Sequence, residues 1–120
     1  MPDGLGAELA IEPTTRRVFA AVGGGLMALD ATGTVRTQVL AADVEHMAVT
    51  SGAVYAIGSV LRRVDPVTLQ VTATWPIYGG GLLQVVDGRV VISQHWQVGV
   101  LDPQTGVAEW VPTGVFEWQS

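Results

Sequence analysis

A chain of 120 residues and 12.6 kDa has room for one domain. Its formal charge is −5, its six basic residues are all arginine, and they form no stripe, which excludes a nucleic-acid surface. The absence of cysteine excludes disulfides, thiolate metal sites and cysteine nucleophiles. The hydrophobic share is 48% and the mean hydropathy +0.38, and the apolar residues fall in short runs rather than strict alternation. Such runs predict strands buried on both faces. The longest nearly apolar run, Val18 to Leu29, contains three glycines and is too short to span a bilayer. The first residues carry neither a basic nor an apolar leader segment, so a cytoplasmic protein with no membrane partner is expected.

Taken in order, the chain repeats one phrase three times. After a polar approach, Glu8 to Ile11 reads as a short strand, followed by a turn at Pro13-Thr14-Thr15 and a second strand from Arg17 to Val22. A Gly23-Gly24-Gly25 loop leads to a third apolar run ending in Leu29-Asp30. A turn at Ala31-Thr32-Gly33 and a fourth run, Val35 to Leu40, close the unit. The second copy starts at His46, continues with AVYAIG from Ala53, and ends its third run at Val64-Asp65 before LQVTATW from Leu69. The third has LLQVV from Leu82, RVVISQ from Arg89, Leu101-Asp102, the turn Pro103-Gln104-Thr105-Gly106, and VAEW from Val107. The three Asp residues are 35 and 37 residues apart. Four short strands per unit at a period near 40 residues point to all-β propeller blades, at roughly 7–41, 42–77 and 78–120 of a single domain.

The third copy, V-x-x-LDPQTG-x-x-x-W ending at Trp110, resembles the blade consensus of quinoprotein-like (PQQ-type) and YVTN-type β-propellers. The resemblance implies a strand ending in Asp, a tight turn, and a Trp on the outermost strand packed against the neighbouring blade. Trp110 and, approximately, Trp75 fit that pattern, whereas the first copy has Gln38 there. The calcium ligands and reactive groups of a quinone-dependent dehydrogenase are missing, so that cofactor is not carried over.

Closed propellers have four to eight blades, and three leave two open apolar flanks. The simplest closure is a homodimer, two half-propellers forming a six-bladed ring about a two-fold axis. The alternatives are a hetero-assembly or a piece of a longer propeller. The tail Val115 to Ser120 has strand character and is a candidate ring-closing clasp.

In such blades the first-to-second and third-to-fourth strand turns share one face, here short and regular. The opposite face carries the remaining loops and is where function is expected. Gly23 to Ala28 satisfies G-x-G-x-x-A but leaves no room for the helix that a dinucleotide site requires. Asp43, Glu45 and His46 lie within four residues at the entry to the second unit. Glu45 or Asp43 with His46 would serve as an acid/base pair, with His95 as a further catalytic candidate, or as ligands for a divalent metal. A solvated loop start is the plainer alternative. No cofactor is otherwise implied, and no serine nucleophile elbow is present.

The third unit differs most. Where the first two have Gly23-Gly24-Gly25 and Gly58-Ser59-Val60, it has Gln94-His95-Trp96-Gln97. A large aromatic and polar set at one repeat position only, with Tyr78 in the preceding Gly-rich loop, is the expected ligand-binding patch. Trp96 offers a stacking surface and the glutamines both donors and acceptors, which suits a sugar, an aromatic metabolite or a peptide. Packing roles for Tyr78 and Trp96 are the competing reading. The sequence thus predicts a binding or scaffold module, with a lyase, isomerase or hydrolase acting through Glu45, His46 and His95 as the alternative.

Overall fold

The computed structural model describes residues 8–78, 82–94 and 96–112. It has twelve strands in chain order: β1 (Glu8–Ile11), β2 (Val18–Val22), β3 (Gly25–Leu29), β4 (Arg36–Leu40), β5 (His46–Thr50), β6 (Ala53–Ile57), β7 (Leu61–Val64), β8 (Val71–Trp75), β9 (Leu83–Val86), β10 (Arg89–Ser93), β11 (Gln97–Asp102) and β12 (Val107–Pro112). They form three four-stranded antiparallel meanders, β1 to β4, β5 to β8 and β9 to β12. No helix among the described residues is long and apolar enough to cross a membrane. The first strands are innermost: β1 adjoins β5, and β5 adjoins β9.

The repeated Asp explains the regular turns. Asp30 Oδ1 accepts the Thr34 amide at 2.9 Å, Asp65 Oδ1 the Val67 amide at 2.7 Å, and Asp102 Oδ1 the Gln104 amide at 2.9 Å. Each carboxylate satisfies a donor that the reversing backbone exposes, as Asx turns do. Asp87-Gly88, both with positive φ, make the two-residue β9–β10 turn, the twist-matched solution for a hairpin. Gly23-Gly24 do the same between β2 and β3. That connection is therefore a tight hairpin and Gly25 is a strand residue, where the sequence suggested a longer loop. Gln97 likewise opens β11 instead of ending a loop.

Two apolar layers join the three sheets. Phe19, Ala21, Leu26 and Ala28 of the first sheet meet Met47, Val54, Ala56 and Val64 of the second. On the other side of the second sheet, Tyr55, Ile57 and Leu61 meet Leu83, Val90, Ile92 and Leu101 of the third. The middle sheet is thus covered on both faces, and all five residues of β6 are buried, which is why the apolar runs do not alternate. Trp75 and Trp110 pack on the second layer, as their repeat position suggests. Trp110 lies over Gly99, its cross-strand partner, where a Cβ would enter the indole ring. Gly99→Ala should therefore displace Trp110 and cost about 2 kcal/mol, the usual scale of overpacking, measured by urea denaturation.

The outer faces have no such cover within the described residues. Leu9, Ile11 and Val22 of the first sheet are 72, 63 and 54% exposed. On the third sheet, Val86, Val107 and Val111 are exposed.

Candidate functional site

On the loop face, the entry to the second sheet is a knot of polar contacts. Asp43 has a left-handed backbone, with φ of 69°. Its carboxylate accepts the Ser59 amide at 2.8 Å and the Ser59 hydroxyl at 2.7 Å, and Arg62 Nη1 lies 3.2 Å away. The Ser59 hydroxyl and amide, then Arg62, hold the Asp43 carboxyl below the usual carboxylate range. A Cβ on Gly58 would collide with the Asp43 carbonyl and Oδ1, so the glycine permits this close approach.

His46 turns elsewhere. Its Nδ1 lies 2.8 Å from Oε2 of Glu8, and Glu8 Oε1 accepts the Met47 amide at 2.9 Å. Glu8 and His46 hold the same repeat position on β1 and β5, so the pair bridges the innermost strands of neighbouring blades. Glu45 is exposed, and its amide donates to the Ile57 carbonyl. The three clustered residues thus split: Asp43 ties the loops of the second sheet, His46 ties two sheets, and Glu45 faces solvent. Among the described residues no group of three or more His, Asp or Glu side chains is placed to hold a metal ion.

In the third sheet, by contrast, the predicted residues converge. Gln94 is 8% exposed. Its Nε2 donates to the Tyr78 carbonyl at 2.7 Å, its Oε1 accepts from Gln97 Nε2 at 2.8 Å, and its amide donates to the Gln97 carbonyl at 2.8 Å. Gln94 therefore locks the loop before β9 to the β10–β11 connection. Beside it, Trp96 and Tyr78 are 70 and 58% exposed. His95 lies outside the described residues, as do Gly79-Gly80-Gly81 and the tail from Thr113.

The opposite face holds two residues that sequence reasoning missed. Glu12 is fully buried, and its carboxylate accepts from the amides of Thr14, Thr15 and Gly52 and from both threonine hydroxyls, at 2.7 to 3.1 Å. Burial pushes its pKa up, but the Gly52 amide and the Thr15 and Thr14 donors outweigh that and hold it down at about 2. Arg17 Nη1 donates to the carbonyls of Pro66 and Val67, at 2.9 and 3.0 Å, in the β7–β8 turn. Both residues staple the first sheet to the second. The only local hint was the Thr14-Thr15 pair following an acid; Gly52 and Pro66 are 40 and 49 residues away.

No family model matches the chain, and no curated protein matches its sequence. Solved structures do. Kluyveromyces lactis Hsv2 aligns with a TM-score of 0.63 at 10% identity, over 88% of this chain and 36% of that one. A form of Hsv2 with its loop 6CD replaced by a Gly-Ser linker aligns at 0.61 and 11%, over 88 and 39%. The extracellular domain of BT4673 from B. thetaiotaomicron aligns at 0.57 and 13%, over 92 and 18%. The fold is an all-β, propeller-type one. The three sheets are its blades, 1 to 3 in chain order. The chain spans less than two-fifths of the Hsv2 chains it resembles, and at these identities the likeness concerns the fold alone.

Proposed function

We propose that the chain is a binding or scaffold module built from PQQ- or YVTN-type blades, whose loop face holds a small molecule or a peptide at blade 3. The observation that carries this reading is Gln94: a buried amide, bonded on both sides, that fixes the backbone beneath exposed Trp96 and Tyr78. A flat aromatic face beside amide groups on a rigid sheet suits a sugar ring, an aromatic metabolite or an extended peptide. His95, between Gln94 and Trp96 in sequence, belongs to the same proposed site.

The test is a thermal-shift and calorimetric titration with monosaccharides, simple indoles and phenols, and short peptides. One class should bind, and Trp96→Ala should weaken it by about tenfold or more, the scale of losing one aromatic contact. Gln94→Ala should weaken it comparably by releasing the loop. A binder unaffected by both changes would refute the assignment.

The enzyme reading, with acid–base or metal-assisted chemistry at Glu45, His46 and His95, has the Glu8–His46 pair in its favour, since a carboxylate that orients an imidazole is a common catalytic device. It predicts turnover or divalent-ion stabilisation abolished by His46→Ala. The binding reading predicts indifference to chelator.

A further inference from the structure

We propose that the recess on the open flank of blade 3 is a socket for the β3–β4 turn of a second copy of this chain, gripped by Arg89 and Glu109. Aligned on Asp30, Asp65 and Asp102, Arg17 corresponds to Arg89, and Pro66-Val67 to Ala31-Thr32.

Between blades 1 and 2 the equivalent recess is lined by Arg17, Ala28, Asp30, Val35 and Thr37, and Leu69 from the turn of blade 2 closes it, leaving about 20 Å³. On blade 3 the matching residues are Arg89, Val100, Asp102, Val107 and Glu109, with Thr105, and the recess is open, at about 300 Å³. Among the described residues, the same cup is therefore plugged by the next blade in one place and open in the other. In the plugged case Arg17 grips the incoming turn through the Pro66 and Val67 carbonyls. The corresponding turn of blade 1, Ala31-Thr32, is exposed, and so is Arg89.

The departures from the internal seam are complementary in charge. At that seam Thr37 and Val71 line one groove. Their counterparts at the proposed seam are Glu109 on blade 3 and Arg36 on blade 1, both exposed. Two neutral residues that line one groove inside the chain are thus replaced by an opposite-charge pair between copies. Each copy carries one socket and one turn, so a two-fold axis engages both at once and covers Leu9, Ile11 and Val22. Six blades result, within the range of closed propellers. The inference is independent of whether the loop face binds a ligand.

The experiment is a charge exchange read by sedimentation velocity over a dilution series. Wild type should run at about 25 kDa, twice the chain mass of 12.6 kDa. Arg36→Glu and Glu109→Arg should each raise the dimer Kd about tenfold or more, because each places like charges in both seams. Mixed in equal amounts, they should regain the dimer, because opposite charges then face each other at both seams. Arg89→Ala should weaken association without rescue by either partner, and circular dichroism should show every variant folded. A monomeric wild type, an open ladder of oligomers, variants that dimerise as tightly as wild type, or a mixture that stays monomeric would each overturn the proposal. So would a different propeller protein that binds this flank in preference to a second copy.

Discussion

Phe19→Ala is expected to cost about 4 kcal/mol of folding free energy, within the range for buried aromatic truncations. Phe19 is fully buried where blades 1 and 2 meet, among Leu26, Val54 and Val64. The ring spans the seam, so its removal leaves a cavity that neither sheet can close alone. With total stabilities of about 5–15 kcal/mol, such a loss consumes much of the reserve. The readout is the urea midpoint by tryptophan fluorescence. A loss below about 1 kcal/mol, the scale of a surface change, would mean that blades 1 and 2 do not pack as described.

Glu12→Ala should cost about 3 kcal/mol, because it removes a fully buried carboxylate that accepts the part-buried amides of Thr14, Thr15 and Gly52. Glu12→Gln should be less severe, and it separates charge from shape. The sign of the pH effect follows from the carboxyl's pKa, lowered from 4.5 to about 2 on folding. The folded protein resists protonation here more than the unfolded chain does. The contribution is therefore full above 4.5 and is lost as pH falls through about 2. Urea midpoints at several values between pH 6 and pH 2.5 should show the stability advantage of wild type over Glu12→Gln shrinking as acid is added. An advantage that stayed constant down that range would mean that Glu12 is not held as an ionised acceptor.

The blade pattern was legible because each strand is announced locally. Val18–Val22, Ala53–Ile57 and Arg89–Ser93 are β-branched or apolar runs bounded by turn residues. The Asp at the end of each third strand gives the register of the repeat, since its carboxylate caps the following turn. The Gln94-Gln97 platform was visible for a related reason: the third copy departs there from the small residues of the other two. Contacts between sheets were not visible. Glu8 to His46, Glu12 to Gly52 and Arg17 to Pro66 join residues 38 to 49 apart, with no short-range signature. Sequence proximity even misled at Glu45 and His46. Adjacent positions on an extended chain point to opposite faces, so His46 finds Glu8 across the innermost strands rather than its neighbour. Alignment of the copies held the one clue, because it places Glu8 and His46 at the same position of successive blades.

The loop face of blade 3 is the centre of the functional account, and the most direct test is to locate a ligand on it. Backbone and side-chain amide spectra should be recorded while a small-molecule library of sugars and aromatics is titrated. The account predicts that the largest shifts fall on Tyr78, Gln94, Trp96 and Gln97, including the Gln94 side-chain amide that bonds the Tyr78 carbonyl. Shifts confined to the flank around Arg89 and Glu109, or to the turn face around Glu12, would contradict it.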